Sequence, residues 1–297
     1  MRVLICGGTG FIGQALVKAL LRDNHEVICH SRDRARVVER LGNQVKGIVD
    51  YNELGDETVD AVVNLAGEPI ADQRWSSDRK ALLRSSRIDI TSELVKWIES
   101  RDTRPDVLIS GSAIGYYGNQ ETDNKLTESD EAVAGFTHQL CADWEAEALK
   151  AKACGVRVCL IRTGIVLGKG GGALSKMLPP FRLGLGGPIA NGLQWMSWIH
   201  LEDQVAAILF LLHKPELEGA FNLTAPEAAT NGDFSRALAA ALHRPAFFTV
   251  PAFVIRMMLG EGAELLLGGQ RVYPMKLTEA GFSFKYPQLK PALATVV

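Results

Sequence analysis

The residues of this sequence whose spacing points most directly to chemistry are three glycines at positions 7, 10 and 13, in Gly7-Gly8-Thr9-Gly10-Phe11-Ile12-Gly13. They follow at once on the apolar run Arg2-Val3-Leu4-Ile5-Cys6. The first glycine permits a tight turn, the second lets a pyrophosphate approach the backbone, and the third lets a helix pack closely on a strand. The free N–H groups of the helix's first turn would then face the anion. Such a triplet also occurs in purely structural strand-to-helix turns. A buried-type strand ahead of it, and helical spacing of Phe11, Leu16, Ala19 and Leu20 behind it, favour a nucleotide pocket. A second signal lies just past the next apolar run, residues 26–30. An acid there would bind a ribose 2′-hydroxyl, whereas a basic residue accommodates a 2′-phosphate. The sequence has Ser31-Arg32, a hydroxyl beside a guanidinium, which suits a phosphate monoester and predicts NADP(H). The alternative is a solvated basic turn opening a surface helix, since Arg34 and Arg36 follow.

These groups need a sheet to carry them. Strands are predicted over 45–49 and 59–65, the latter ending in Asn64-Leu65-Ala66-Gly67-Glu68-Pro69, where Leu65, Ala66 and Gly67 would let the backbone approach a cofactor. A helix over 77–100 leads to a strand over 106–110, which opens into Gly111-Ser112-Ala113-Ile114-Gly115-Tyr116-Tyr117-Gly118. Residues 118–134 read as a polar loop, and 137–154 as a helix stopped by Gly155 before a strand over 156–162. Strands alternating with helices predict an α/β fold, a Rossmann-type doubly wound parallel sheet. Composition shifts at Gly168-Lys169-Gly170-Gly171-Gly172; the Gly/Pro-rich stretch beyond it reads as irregular loops walling or lidding a site. Helices near 203–213, 231–242 and 252–259 and a short strand over 220–223 complete the chain. The expected division is a nucleotide-binding domain over 1–168 with about 200–225, and a smaller, mainly helical cap over 169–199 and 226–297.

Composition narrows the classes. The 297 residues are 47% apolar and 22% charged, with a net charge of -2, values of an ordinary globular protein with no broad electrostatic attraction to nucleic acid or an anionic membrane. No apolar run approaches the ~20 residues needed to span a bilayer. The first strand begins too soon after Met1 for a signal peptide, so a cytoplasmic location is expected. Five cysteines, at 6, 29, 141, 154 and 159, include no C-x-x-C pair, and neither disulfides nor a metal site is indicated.

G-G-T-G-F-I-G, N-L-A-G at 64–67, S-G-S-A-I-G-Y-Y-G at 110–118 and W-I-H-L-E-D at 198–203 together resemble the extended short-chain dehydrogenase/reductase superfamily, which includes the nucleotide-sugar epimerases. More narrowly, R-W at 74–75, D-W-E at 143–145, R-T-G-I-V-L-G at 162–168, P-F-R-L-G-L-G-G-P at 180–188 and G-Q-R-V-Y-P at 269–274 resemble its atypical NADP-binding "epimerase family" proteins, over essentially the whole chain. The resemblance implies cofactor contacts at Thr9 to Ile12, Ser31, Arg32, Leu65 and Ala66, and further ones at Arg87 and Val166. It also exposes a departure. The superfamily's acid/base pair is a Tyr and a Lys four residues apart on a helix, where the ammonium lowers the phenol's pKa, aided by a Ser or Thr at the end of the fifth strand. Ser112 takes the Ser position, but alignment on Asp143-Trp144-Glu145 puts Leu140 at the Tyr and Trp144 at the Lys. Neither moves a proton at neutral pH. Tyr286 and Lys290 have the spacing, but Pro287 disfavours a helix there. Replacement groups are Tyr116 or Tyr117 as phenolic acid and Glu68 as a base; each has an ordinary alternative, loop packing for the tyrosines and a solvated carboxylate for Glu68. His200 reads as a hydrogen-bonded core residue. Three functions follow: an NADP(H)-dependent oxidoreductase or epimerase-like enzyme acting on a small molecule, a non-catalytic NADPH-binding regulatory or sensor protein, and, disfavoured by the missing pair, a nucleotide-sugar epimerase. The substrate and oligomeric state are not legible.

Overall fold

Val3, Leu4 and Ile5 are fully buried, as a strand covered on both faces requires. The computed structural model describes residues 1–120 and 122–297. β1 (Arg2–Cys6) passes through the glycine turn into α1 (Phe11–Arg22), followed by β2 (Glu26–His30), α2 (Arg34–Leu41), β3 (Lys46–Ile48), β4 (Ala61–Asn64), α3 (Ser77–Glu99), β5 (Val107–Ala113), α4 (Phe136–Leu149) and β6 (Arg157–Thr163). The rest comprises β7 (Ile165–Leu167), α5 (Gly172–Arg182), β8 (Trp195–Met196), β9 (Trp198–His200), α6 (Leu201–Leu212), β10 (Gly219–Leu223), β11 (Ala229–Thr230), α7 (Asn231–Ala241), α8 (Ala252–Leu259), α9 (Glu264–Leu267), α10 (Met275–Glu279) and α11 (Leu289–Val296).

Seven strands form one sheet in the order β3-β2-β1-β4-β5-β6-β10, every pair parallel. This is the doubly wound arrangement expected. One face packs Val3, Ile5 and Ile109 against α1 and α6, the other packs Leu4, Val62 and Leu108 against α3, and a third cluster around Trp198, Phe234 and Leu293 joins β9, α7 and α11. Chain direction across the sheet reverses between β1 and β4, so their carboxyl ends border the crevice in which such folds hold ligands. No described helix is long and apolar enough to cross a membrane.

Two local expectations change. β5 runs on to Ala113, because residues 111–113 keep their pairing with β6, so Ser112 stands on a strand opposite Arg162 rather than in a loop. The stretch read as irregular contains α5, with Pro179 and Pro180 inside it. Each proline removes one helical hydrogen bond, to the carbonyls of Ser175 and Lys176. All four residues are exposed, so those carbonyls meet water, while Leu174 and Phe181 bury the other face.

Candidate functional site

The glycine turn is built as its spacing implies. Gly7 has φ +81°, and a side chain there would place its Cβ 2.7 Å from the Leu65 carbonyl. At Gly13 a Cβ would overlap the Gly7 carbonyl oxygen and lie 2.7 Å from the Gly8 Cα. The Gly10 N–H closes the turn on the Gly7 oxygen at 3.0 Å, and no side chain caps α1 at Gly10. The first helical bond runs from Gln14 N–H to the Gly10 carbonyl, so the amides at Phe11 to Gly13 open the helix toward the crevice. Thr9 offers its carbonyl to Gln14 at 3.0 Å and to Arg40 at 3.2 Å.

Past β2, Ser31 and Asp33 exchange hydrogen bonds and the Asp33 side chain caps α2. The Arg32 side chain is largely exposed, with Nη2 3.4 Å from the Glu68 carboxylate. Glu68, weighed as a base, thus has its carboxylate beside Arg32. Behind it the loop after β4 is held by a buried chain: Asn64 Oδ1 accepts the Ala66 N–H, and Asn64 Nδ2 donates to Thr91 Oγ1 at 2.9 Å. Thr91 Oγ1 also accepts Trp144 Nε1 at 3.0 Å and donates to the Arg87 carbonyl. Arg87 lies against Gly67, where a Cβ would meet its guanidinium carbon at 3.1 Å. Val166, on β7, is buried, and its carbonyl would meet a Cβ at Gly172 at 2.9 Å. Side chains at Gly168, Gly171 or Gly172 would run into the Phe11 ring, so this glycine loop lies on the first residue of α1.

On the far side of the crevice Ser112, Arg162 and Asn222 form one row across β5, β6 and β10. Arg162 donates to Glu145 of α4 through Nε at 2.8 Å and Nη2 at 2.9 Å, both side chains almost fully buried. Burial opposes the Arg162 charge, yet the Glu145 carboxylate more than offsets it and the pKa is raised. Ser112 Oγ donates to Glu145 Oε1 at 2.6 Å. An ionised carboxylate only accepts, so the Ser112 proton points at Glu145 and its lone pairs remain for a ligand. Tyr117 is fully buried; its hydroxyl accepts from Arg162 at 3.0 Å and donates to Asn222 at 2.7 Å. Burial pushes its pKa up to about 12. Tyr116 is half-buried, its ring stacked on the Arg162 guanidinium with 3.4 Å from carbon to centroid, and its hydroxyl makes no hydrogen bond among the described residues. Leu140 and Trp144 are buried, and a Cβ on Gly111 would meet the Trp144 ring at 2.8 Å, so the indole fills the space beside β5.

Sequence reasoning missed Glu145 and Arg162 as a pair, although an arginine inside the apolar run 156–163 demands a partner. It also missed His138, whose Nδ1 donates to the Tyr116 carbonyl at 2.6 Å while its ring stands edge-on to Tyr116, and Arg40 at the glycine turn. His200 accepts the Glu202 N–H at the start of α6 and contacts Thr295 Oγ1 at 3.1 Å, the hydrogen-bonded core role expected of it. Cys6, Cys29 and Cys159 are buried in their strands, and Cys141 is buried on α4 with its pKa pushed up to about 12 by desolvation.

Comparison with known proteins agrees with this architecture. Residues 250–296 match a domain of unknown function. The chain is 41% identical to an epimerase family protein SDR39U1 homolog, chloroplastic, of Arabidopsis thaliana, over 100% of this chain and 87% of that one. It is 43% identical to an epimerase family protein of Mycobacterium leprae, over 98% and 94%. A crystal structure of human epimerase family protein SDR39U1 (isoform 2) with NADPH superposes with a TM-score of 0.90 at 35% identity, covering 100% of this chain and 99% of that one. Residues 3–224 match the NAD dependent epimerase/dehydratase family, and with these similarities spanning its length the chain belongs to that family.

Proposed function

We propose that this chain holds NADP(H) along the glycine turn and transfers a hydride between it and a small carbonyl or alcohol substrate. What supports the cofactor is the cradle itself. Side chains at Gly7 and Gly13 would fill it, the amides opening α1 are uncapped, and Arg32 stands where a 2′-phosphate is recognised. The SDR39U1 relative solved with NADPH supports the same choice. NADPH, when bound, supplies the hydride. The chain's own residues handle the oxygen. Ser112, its proton directed to Glu145, accepts a hydrogen bond from a substrate hydroxyl. Tyr116 donates to a carbonyl oxygen and takes the proton back in the reverse direction.

The observation that carries this reading is the difference between the two tyrosines: the Tyr117 hydroxyl is held by Arg162 and Asn222, whereas that of Tyr116 makes no hydrogen bond among the described residues and its ring lies on Arg162 of the Ser112 row. A positioned acid contributes about 10² to 10⁴ in rate. Loss of NADPH absorbance over a panel of carbonyl compounds therefore tests it. Tyr116→Phe is expected to slow turnover at least about a hundred-fold, Ser112→Ala to raise KM, and Tyr117→Phe to act chiefly on stability. Equal turnover by wild type and Tyr116→Phe would remove Tyr116 from the mechanism. The burial of Leu140 and Trp144 favours a second reading, a non-catalytic NADPH-binding sensor; tight NADPH binding with no turnover on any carbonyl would establish it.

A further inference from the structure

With Leu140 and Trp144 buried, α4 presents no cation at the position where a lysine would stand. A positive charge is nevertheless present, reaching from the neighbouring helix. Arg87 on α3 holds its guanidinium carbon 5.3 Å from the centroid of the Trp144 ring. Its Nη2 donates to the Glu68 carbonyl at 2.9 Å and its Nη1 to the Leu83 carbonyl at 3.1 Å. These partners are neutral, and among the described residues no carboxylate pairs with it, in contrast to Arg162. Burial works against the charge and lowers its pKa from the usual arginine value. A guanidinium has five N–H donors, so at least two remain open. The guanidinium is half-buried, and with no carboxylate paired to it its charge is left to act on what the crevice binds. Its place in the crevice says which part of the ligand. Arg32 marks the adenosine side past β2, whereas Arg87 lies against Gly67, after β4, with Trp144 between it and Gly111 of β5. A dinucleotide held across the switch point extends its nicotinamide toward β4 and β5.

We propose that Arg87 supplies from α3 the fixed positive charge that α4 lacks, at the nicotinamide end of the crevice, and that this charge makes the site prefer the reduced cofactor. The inference rests on the NADP(H) reading above. The oxidised nicotinamide ring carries a positive charge and the reduced ring none, so the guanidinium opposes the oxidised form alone. For unit charges about 10 Å apart at an effective dielectric of about 20, the discrimination is about fifteen-fold. A role confined to tying α3 to the loop after β4 would weaken both forms by the same factor.

Titration calorimetry of NADPH and NADP+ against wild type, Arg87→Gln and Arg87→Lys separates the two, with melting curves to confirm folding. Wild type is expected to bind NADPH about ten-fold or more tightly than NADP+, Arg87→Gln to bring the ratio close to one, and Arg87→Lys to retain most of it. Equal affinity of wild type for both forms overturns the proposal whatever the variants do, as does an unchanged ratio in Arg87→Gln. If wild type binds neither form, the NADP(H) reading itself falls; if it binds both and only the ratio fails to move, the charge assignment alone falls.

Discussion

The buried pair of Glu145 and Arg162 makes a demanding prediction. Replacing Glu145 with Gln keeps the volume and leaves Ser112 an acceptor, but it deletes the only carboxylate pairing with Arg162 among the described residues. Both side chains are about 95% inaccessible, with exposures of 6% and 5%, so water cannot take the place of the lost charge. The remaining Arg162 contacts are the Tyr117 hydroxyl at 3.0 Å, the Glu128 carbonyl at 3.3 Å and the Tyr116 ring. All are neutral, and none balances a unit charge. Removing one partner of a buried pair costs about 3–5 kcal/mol, a large share of the 5–15 kcal/mol typical of whole proteins. The assay is urea denaturation followed by circular dichroism, read as a lower midpoint at unchanged slope. The double replacement Glu145→Gln with Arg162→Met removes the stranded cation as well and is expected to recover much of the loss. A fall below about 1 kcal/mol for Glu145→Gln, or a double variant less stable than the single, would refute the claim that the charge is sealed from solvent.

Other expectations follow from the site and its supports. Arg32→Ala should weaken NADPH about ten- to hundred-fold and NADH little, the loss of charge-assisted hydrogen bonds to a 2′-phosphate; equal losses in calorimetry would remove that assignment. Gly13→Ala forces a methyl into the Gly7 carbonyl, and should cost about 1–3 kcal/mol in thermal or urea melts and abolish measurable NADPH binding. His200 should confer acid sensitivity. Burial lowers its pKa from the usual 6.5, against the pull of Glu202 and Asp203, so the unfolded chain takes up a proton first. Stability is then lost as pH falls from about 6.5 toward the lower folded value, and His200→Asn, which keeps a capping group, should flatten that part of the melting-temperature profile.

Much of the nucleotide half was legible because its signals are local. A turn that requires glycine at 7 and 13, and a strand followed at once by Ser31-Arg32, depend on neighbours only a few residues away. The absence of a Tyr/Lys pair was equally readable, since spacing on one helix decides it. What could not be read depended on register between distant segments. Ser112 meets Arg162 because β5 continues three residues beyond its apolar run, and Glu145 reaches both from a helix whose orientation no local pattern states. Pro179 and Pro180 misled for a related reason: their effect on a helix depends on whether the freed carbonyls see water, which is a property of packing. The two adjacent tyrosines were indistinguishable in sequence; what separates them is full burial of Tyr117 and the hold of Arg162 and of the β10 residue Asn222 on its hydroxyl.

That same strand has a consequence for how the chain is made. β6 ends at Thr163, but its partner β10 begins at Gly219, after β7 to α6 have been laid down between them. During synthesis the sheet must wait with the outer edge of β6 bare, and a bare edge is a template for pairing with other chains. Arg162 waits with it, its row incomplete until Asn222 arrives. Closing such a long loop slows folding more than it weakens the product, so a chain interrupted before β10 leaves that edge open to aggregation.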